Sequence, residues 1–352
     1  MANPSALPKA ERSPARALSV AAILPLYNGE LWVEQALRSI LAQTVPPDEI
    51  IVVDDGSTDG GVARVRELMA DHPQITMISQ PNAGQSAARN RAIRDCHSAW
   101  IALIDQDDLW YPNHIEDLLE LVTSHRGLRL GWVYSDFDDI DLDGRMVSRS
   151  FVSHMKVDNP KRDLVKVLSQ GFIIQPSAAL INRAAILEVG GFDERLSGYE
   201  DDDLFLRIFL ANYDNAFLDS PTSQWRIHET SSGGSDRMEE SLRIYSRKLM
   251  DAFPNDRWRG LYFRSRYLAP RFIRTWIQMY IRARRYKNRK KMRLYVREAR
   301  ALLHYLRPRA RVSMAIGLFF LPVVVRLWPG PRADQSREST LVGRMARRAA
   351  GL

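Results

Sequence analysis

Cysteine is nearly absent from this chain. Of 352 residues only Cys96 carries a thiol, which excludes an internal disulfide and points to a reducing compartment. A secretory segment is not expected either, because Met1–Ala17 holds Pro4, Pro8 and Pro14 together with charges and no apolar core, and reads as a disordered arm. The uncharged run Ser313–Val325 is interrupted by Pro322 and falls short of the roughly 20 residues needed to cross a bilayer. The remaining scarcity is of acid near the C-terminus: from Arg259 to Leu352, 24 Lys+Arg stand against 3 Asp+Glu, a net +21. Since the whole chain carries +8, residues 1–258 carry −13, so an acidic body is joined to a basic tail. Such tails bind nucleic acid or anionic membrane surfaces.

In the body, apolar runs alternate with helical patterns. Leu18–Leu24 reads as a first strand ending at Pro25-Leu-Tyr-Asn28, with Asn28 placed to cap a helix that carries Leu31, Ala36, Leu37, Ile40 and Leu41. Glu49–Val53 follows as a second strand, running into the polar turn Asp54-Asp55-Gly56-Ser57. Ile75–Ser79 is a third, after which Asn82-Ala-Gly84-Gln-Ser86 opens a helix bearing Ala87, Ala88, Ala92 and Ile93. Trp100–Ile104 is the fourth, Leu130–Ser135 a fifth, and Asp136–Asp143 reads as an acidic loop ending in an Asp-Gly hairpin signal. Strands alternating with helices, with polar residues at their carboxyl ends, predict an α/β fold: a doubly wound, mostly parallel sheet flanked by helices, with ligand in the crevice at those ends.

The fourth strand ends abruptly in Asp105-Gln-Asp107-Asp108. Asp105 and Asp107 point the same way in extended chain, and converging carboxylates repel unless a cation or proton sits between them. Hard divalent ions take one or two protein carboxylates and complete their shell with water and substrate phosphates, so the pattern points to a metal-diphosphate site. A solvated turn capping the next helix is the competing reading, with Asp108 as its cap. A second cluster, Glu200-Asp-Asp-Asp203, precedes a helix with Leu204, Phe205, Ile208 and Phe209 on its apolar side. Acids there complement the helix dipole, or supply a general base.

Together, Pro25-Leu-Tyr-Asn28, Val53-Asp-Asp-Gly-Ser57, Asn82-Ala-Gly84, Ala88-Arg-Asn90, Asp105-Gln-Asp-Asp108, Gly190-Gly-Phe-Asp-Glu194, Glu200-Asp-Asp-Asp-Leu204 and Trp225-Arg-Ile-His228 resemble the successive signatures of glycosyltransferase family 2. The resemblance implies a GT-A fold over residues 18–240 and inverting transfer of a sugar from a nucleotide-diphosphate donor to a hydroxyl acceptor, with Mn2+ or Mg2+ as cofactor. It implies donor contacts from Pro25, Tyr27, Asn28, Asp54 or Asp55, Asn82, Gly84, Arg89, Asp105 and Arg226, and metal coordination by Asp107 and His228. It places the general base at Asp201, with Asp202 a one-residue alternative and Glu200 shaping the site. The processive-synthase pattern Gln-x-x-Arg-Trp is not matched, which favours single additions. Ser231–Ser235 reads as a lid or a linker.

Beyond residue 240, Arg259–Tyr305 mixes arginines with aromatics, broken at Pro270, and predicts two or three basic amphipathic helices within a helical region 241–330, followed by a flexible basic tail 331–352. No nucleic-acid motif accompanies it, and the acidic cleft would repel phosphate backbones; the expected partner is an anionic membrane surface on the cytoplasmic side. By family analogy, the acceptor is a lipid-linked glycan in bacterial surface assembly. A sugar nucleotidyltransferase is the alternative enzyme, although the Gly-rich basic loop it should show after the first strand is missing; an inactive sugar-binding scaffold is the other.

Overall fold

The computed structural model describes residues 18–127, 129–155, 157–228 and 236–327, so the expected N-terminal arm, the Ser231–Ser235 run and the basic tail lie outside the described residues. Four parallel strands form one half of the main sheet: β1 (Val20–Leu26), β2 (Glu49–Asp54), β3 (Ile75–Ser79) and β4 (Trp100–Leu103). All seven residues of β1 are buried, as the uninterrupted apolar sequence of a strand covered on both faces requires. Its register, Ala22 beside Ile50 and Ala102, brings the carboxyl ends of β1, β2 and β4 side by side.

The other half is built from β5 (Leu109–Trp110), β6 (Leu130–Ile140), β7 (Met146–Ser148), β8 (Ala179–Asn182) and β9 (Asp214–Arg226). The sheet runs β3-β2-β1-β4-β8-β6-β9-β5, with β7 paired to β6, and turns antiparallel where β8 meets β4. Buried polar groups tie this half together: His114 Nδ1 lies 2.7 Å from Thr222 Oγ1, which is 2.7 Å from Ser135 Oγ, while the imidazole stacks on Trp110. Burial pushes the His114 pKa down to about 3.

Compactness divides the chain differently from composition. One unit takes the chain up to Phe137 with Gln175–Glu194 and Arg207–Arg226; the other takes Asp138–Ile174, Arg195–Leu206 and the chain from Ile227. In the second, helices Ala269–Arg285 and Arg289–Ala301 bury Phe272, Ile273, Trp276 and Tyr280 at helical spacing and stack Trp276 on Tyr295. Pro270 sits in the first turn of its helix, where the π-helical turn Arg264–Leu268 gives way to regular α-helix, and does not break it. Likewise, helix Pro308–Leu327 runs through Pro322.

Two further expectations are corrected. Asn28 does not cap the first helix, which spans Val33–Leu41; it adopts a left-handed φ of 49° and spends its side chain on the β2 turn. The expected acidic loop after residue 135 is mostly strand: β6 continues to Ile140 with Asp136, Asp138 and Asp139 buried, the first accepting from Phe137 N and the second from Ser150 N. The chain turns only at Asp141–Arg145, where Gly144 takes φ +80°.

Candidate active site

Helix Gln85–Asp95 positions the first carboxylate. Gln85 and Arg89, four apart and so on one face, both donate to Asp105 Oδ1, at 2.7 and 2.6 Å. Arg89 is fully buried, over the Phe192 ring, whereas the Asp105 side chain is 23% exposed. Arg89 is therefore not a solvated helix-face residue; it orients Asp105, whose Oδ2 accepts from no donor among the described residues. One residue on from Arg89, Asn90 clamps the Gly190-Gly-Phe segment, accepting from Phe192 N at 2.8 Å and donating to Phe192 O and Glu194 at 2.9 Å.

Asp108 is structural. It is buried and accepts from Ser177 Oγ (2.6 Å), Gln175 Nε2 (3.2 Å) and Arg226 N (3.1 Å). It does not cap the following helix, and burial, with the charges of Asp107 and Asp105, holds its carboxyl well above the usual range. Arg226 is buried as well, donating from Nε to the Asp107 carbonyl at 2.9 Å and from Nη2 to Gln35 at 3.0 Å. These bonds brace the Asp107 turn.

Side chains also lace the strand ends to one another. Pro25 is buried in β1 beside Val53, so only its backbone shapes the site. Gln106 pairs with both backbone groups of Tyr27, at 2.8 and 3.1 Å, leaving that ring 44% exposed. Asn28 accepts from Thr58 N, and Asp54 accepts from Ser57 N, both at 2.8 Å. Asp55 is buried and accepts from Gln80 Nε2 and Ala83 N at 2.8 Å and from Gly84 N at 2.7 Å, fixing the exposed loop that carries Asn82. At Gly56, φ is +76° and a Cβ would meet Asn82 N at 2.9 Å, so only glycine lets the two loops approach.

A divalent cation suits this end of β4. Three carboxylates crowd there, and Asp105 and Asp107 are only partly buried. Among the described residues no group of three or more His, Cys, Asp or Glu forms a metal cage, so a cation held by Asp107 would complete its shell with substrate and water oxygens, as Mg2+ and Mn2+ do. A concavity of about 520 Å³ lined by Glu30, Leu31, Glu34, Gln35, Arg38 and Arg64 contains none of the candidate donor residues.

The second acidic cluster and His228 belong to the second unit. All four acids lie inside the first turn of helix Glu200–Leu210, not before it, where the dipole favours them. They differ in partners. Asp203 pairs with Lys248 at 2.6 Å; Asp202 accepts from Phe172 N at 3.1 Å and pairs with Arg271 at 2.6 Å; Glu200 accepts from Gly198 N; Asp201 accepts from Asp202 N at 2.8 Å. Just upstream, Gly198 and Tyr199 take φ of +126° and +63°, and for the bulky Tyr199 this costs on the order of 1–3 kcal/mol. His228 is half-buried just past β9.

Sequence reasoning missed Gln35, Gln80, Gln85, Gln106, Ser177 and Arg271. The first five are neutral and carry no charge pattern that would mark them in the sequence.

This fold recurs in S. aureus TarS 1–349, solved in complex with UDP-GlcNAc, which aligns with a TM-score of 0.58 at 16% identity over 95% of this chain and 91% of that one. The protein is thus an α/β protein of GT-A architecture. Residues 21–190 match Glycosyl transferase family 2. It is 30% identical to the chondroitin synthase of Escherichia coli over 189 residues, 54% of this chain and 26% of that protein. With the putative glycosyltransferase EpsH of Bacillus subtilis it shares 27% identity over 217 residues, 60% of this chain and 62% of that protein. It spans less than two thirds of the length of either relative.

Proposed function

We propose that this protein transfers a sugar, with inversion, from a nucleotide-diphosphate donor to a hydroxyl acceptor, in single additions during bacterial surface-glycan assembly. The observation that carries this reading is the braced set of acids at the carboxyl ends of β2 and β4, with Asp105 held by Arg89 and the Asp107 turn held by Arg226. Asp105 Oδ2 is available to accept from ribose hydroxyls, and Tyr27 and Asn82 are exposed beside the same loops. Asp107, with His228 as a second candidate ligand, would hold Mn2+ or Mg2+, which when bound offsets charge on the departing diphosphate.

Asp201 is proposed to take the proton from the acceptor hydroxyl as that oxygen attacks the anomeric carbon. Two facts support it over Asp202: both Asp202 oxygens are occupied by Phe172 N and Arg271, and the strained Tyr199 sits two residues before Asp201. Glu200, holding the Gly198 N–H, would fix the turn from which Asp201 projects.

The acceptor is proposed to be lipid-linked, on the inner face of the cell membrane, with the basic helices of the second unit on the anionic surface; no helix among the described residues is long and apolar enough to cross a membrane. A panel of nucleotide sugars, beginning with UDP-GlcNAc, assayed with and without Mn2+ tests the reading. Release of nucleoside diphosphate that is lost in Asp107→Asn supports it; pyrophosphate formation would indicate nucleotidyl transfer, and no product from any donor would indicate a scaffold.

A further inference from the structure

Helix Pro308–Leu327 exposes what helices of soluble proteins bury. Leu318 is 1% exposed and Met314 and Leu321 are half-buried, a single seam at i, i+4, i+7. At 100° per residue the opposite side carries Val312, Ile316, Phe319 and Phe320, which are 61, 54, 68 and 49% exposed. The two phenylalanine rings pack edge to face, 5.2 Å apart, so they stand out as one wedge. Arg309, also exposed, continues the stripe one turn toward the N-terminus.

The surroundings choose the occupant. From Lys287 to Arg311 the chain carries ten Lys+Arg and one acid, Glu298, and Lys290, Arg293, Arg300, Arg307 and Arg309 are all exposed. A protein partner for an aliphatic and aromatic stripe needs no such cationic rim. Nucleic acid would use the arginines and leave Val312 and Ile316 unsatisfied. An anionic bilayer uses both, taking the apolar side chains at the acyl boundary and the arginines at lipid phosphates.

We propose that Val312, Ile316, Phe319 and Phe320, headed by Arg309, dock this protein flat onto an anionic lipid surface. This deepens the membrane partner named above and does not depend on glycosyl transfer.

The test is co-flotation of the full chain with phosphatidylcholine vesicles, with and without an equimolar share of phosphatidylglycerol, at low and high salt. The wild-type protein is expected to float with the anionic vesicles alone and to lose binding as salt rises. Phe319→Ser/Phe320→Ser should cut the bound fraction at least about tenfold while leaving the melting temperature unchanged. Arg309→Glu should weaken binding chiefly at low salt. Nucleoside diphosphate release, measured on the same preparations, should be unaltered in both variants, so its absence counts against the transfer reading alone. Binding that the double serine variant leaves intact, or no binding to anionic vesicles at low salt, overturns the proposal. So does a sedimenting dimer that the same variant dissolves, since a second copy would then cover the stripe.

Discussion

Arg89 and Asp105 meet at 2.6 Å with the guanidinium fully buried and the carboxylate 23% exposed. The pair is asymmetric: losing the arginine leaves an acid that water can reach, whereas losing the acid removes the negative charge that faces a fully buried guanidinium. Asp105→Asn should therefore cost about 3–5 kcal/mol, and Arg89→Met, which keeps much of the packing volume, only about 1–3 kcal/mol. Urea denaturation of the two variants checks the order.

Asp201 and Asp202 are neighbours with separable roles. Asp201→Asn should lower turnover about 10²–10⁴-fold. Asp202→Asn releases Arg271 from its partner at 2.6 Å and should lower the melting temperature by roughly 5 °C or more. Pairing each melting curve with a rate measurement separates the two.

Every neighbour bonded to Asp55 is a donor: the Gln80 amide, Ala83 N and Gly84 N. An asparagine can satisfy only one side of that nest, because its NH2 would face a further N–H. Asp55→Asn should thus destabilise about as much as Asp55→Ala, on the order of 3 kcal/mol, and both should weaken donor binding by loosening the Asn82 loop. Calorimetric melting with and without donor measures both effects.

His114 links stability to pH. Burial holds its pKa at about 3 in the fold, against about 6.5 in the unfolded chain. The unfolded state binds the extra proton between those values, so this contribution is complete above pH ~6.5 and is lost as pH falls toward 3, by up to ~1.4 kcal/mol per unit. His114→Gln, still able to bond Thr222, should flatten the slope of stability against pH between about 6 and 4. Urea titrations across that range provide the comparison.

The sequence made the parallel half of the sheet legible because strands covered on both faces are written as unbroken apolar runs: Ile75–Ser79 matches residue for residue, and Glu49–Val53 to within one. It hid the extension of β6 because Asp136 and Asp138 look like solvated loop until the neighbouring backbone donors are seen. At the site, the acids themselves were visible, but which charge meets which was not. Arg226 braces a carbonyl 119 positions away, and Ser177 holds an acid 69 positions away. Arg89 and Arg226 meet the protein's own oxygens, a pairing that spacing along a chain cannot carry.

The most direct test of the donor site is a calorimetric titration of the full chain with nucleoside diphosphates, in Mn2+ and in chelator. Saturable binding of at least one nucleotide that requires the cation, and that Asp107→Asn abolishes while leaving the fold's melting temperature within a few degrees, is the predicted result. Cation-independent binding that survives Asp107→Asn, or no binding of any nucleotide by the folded protein, would contradict it.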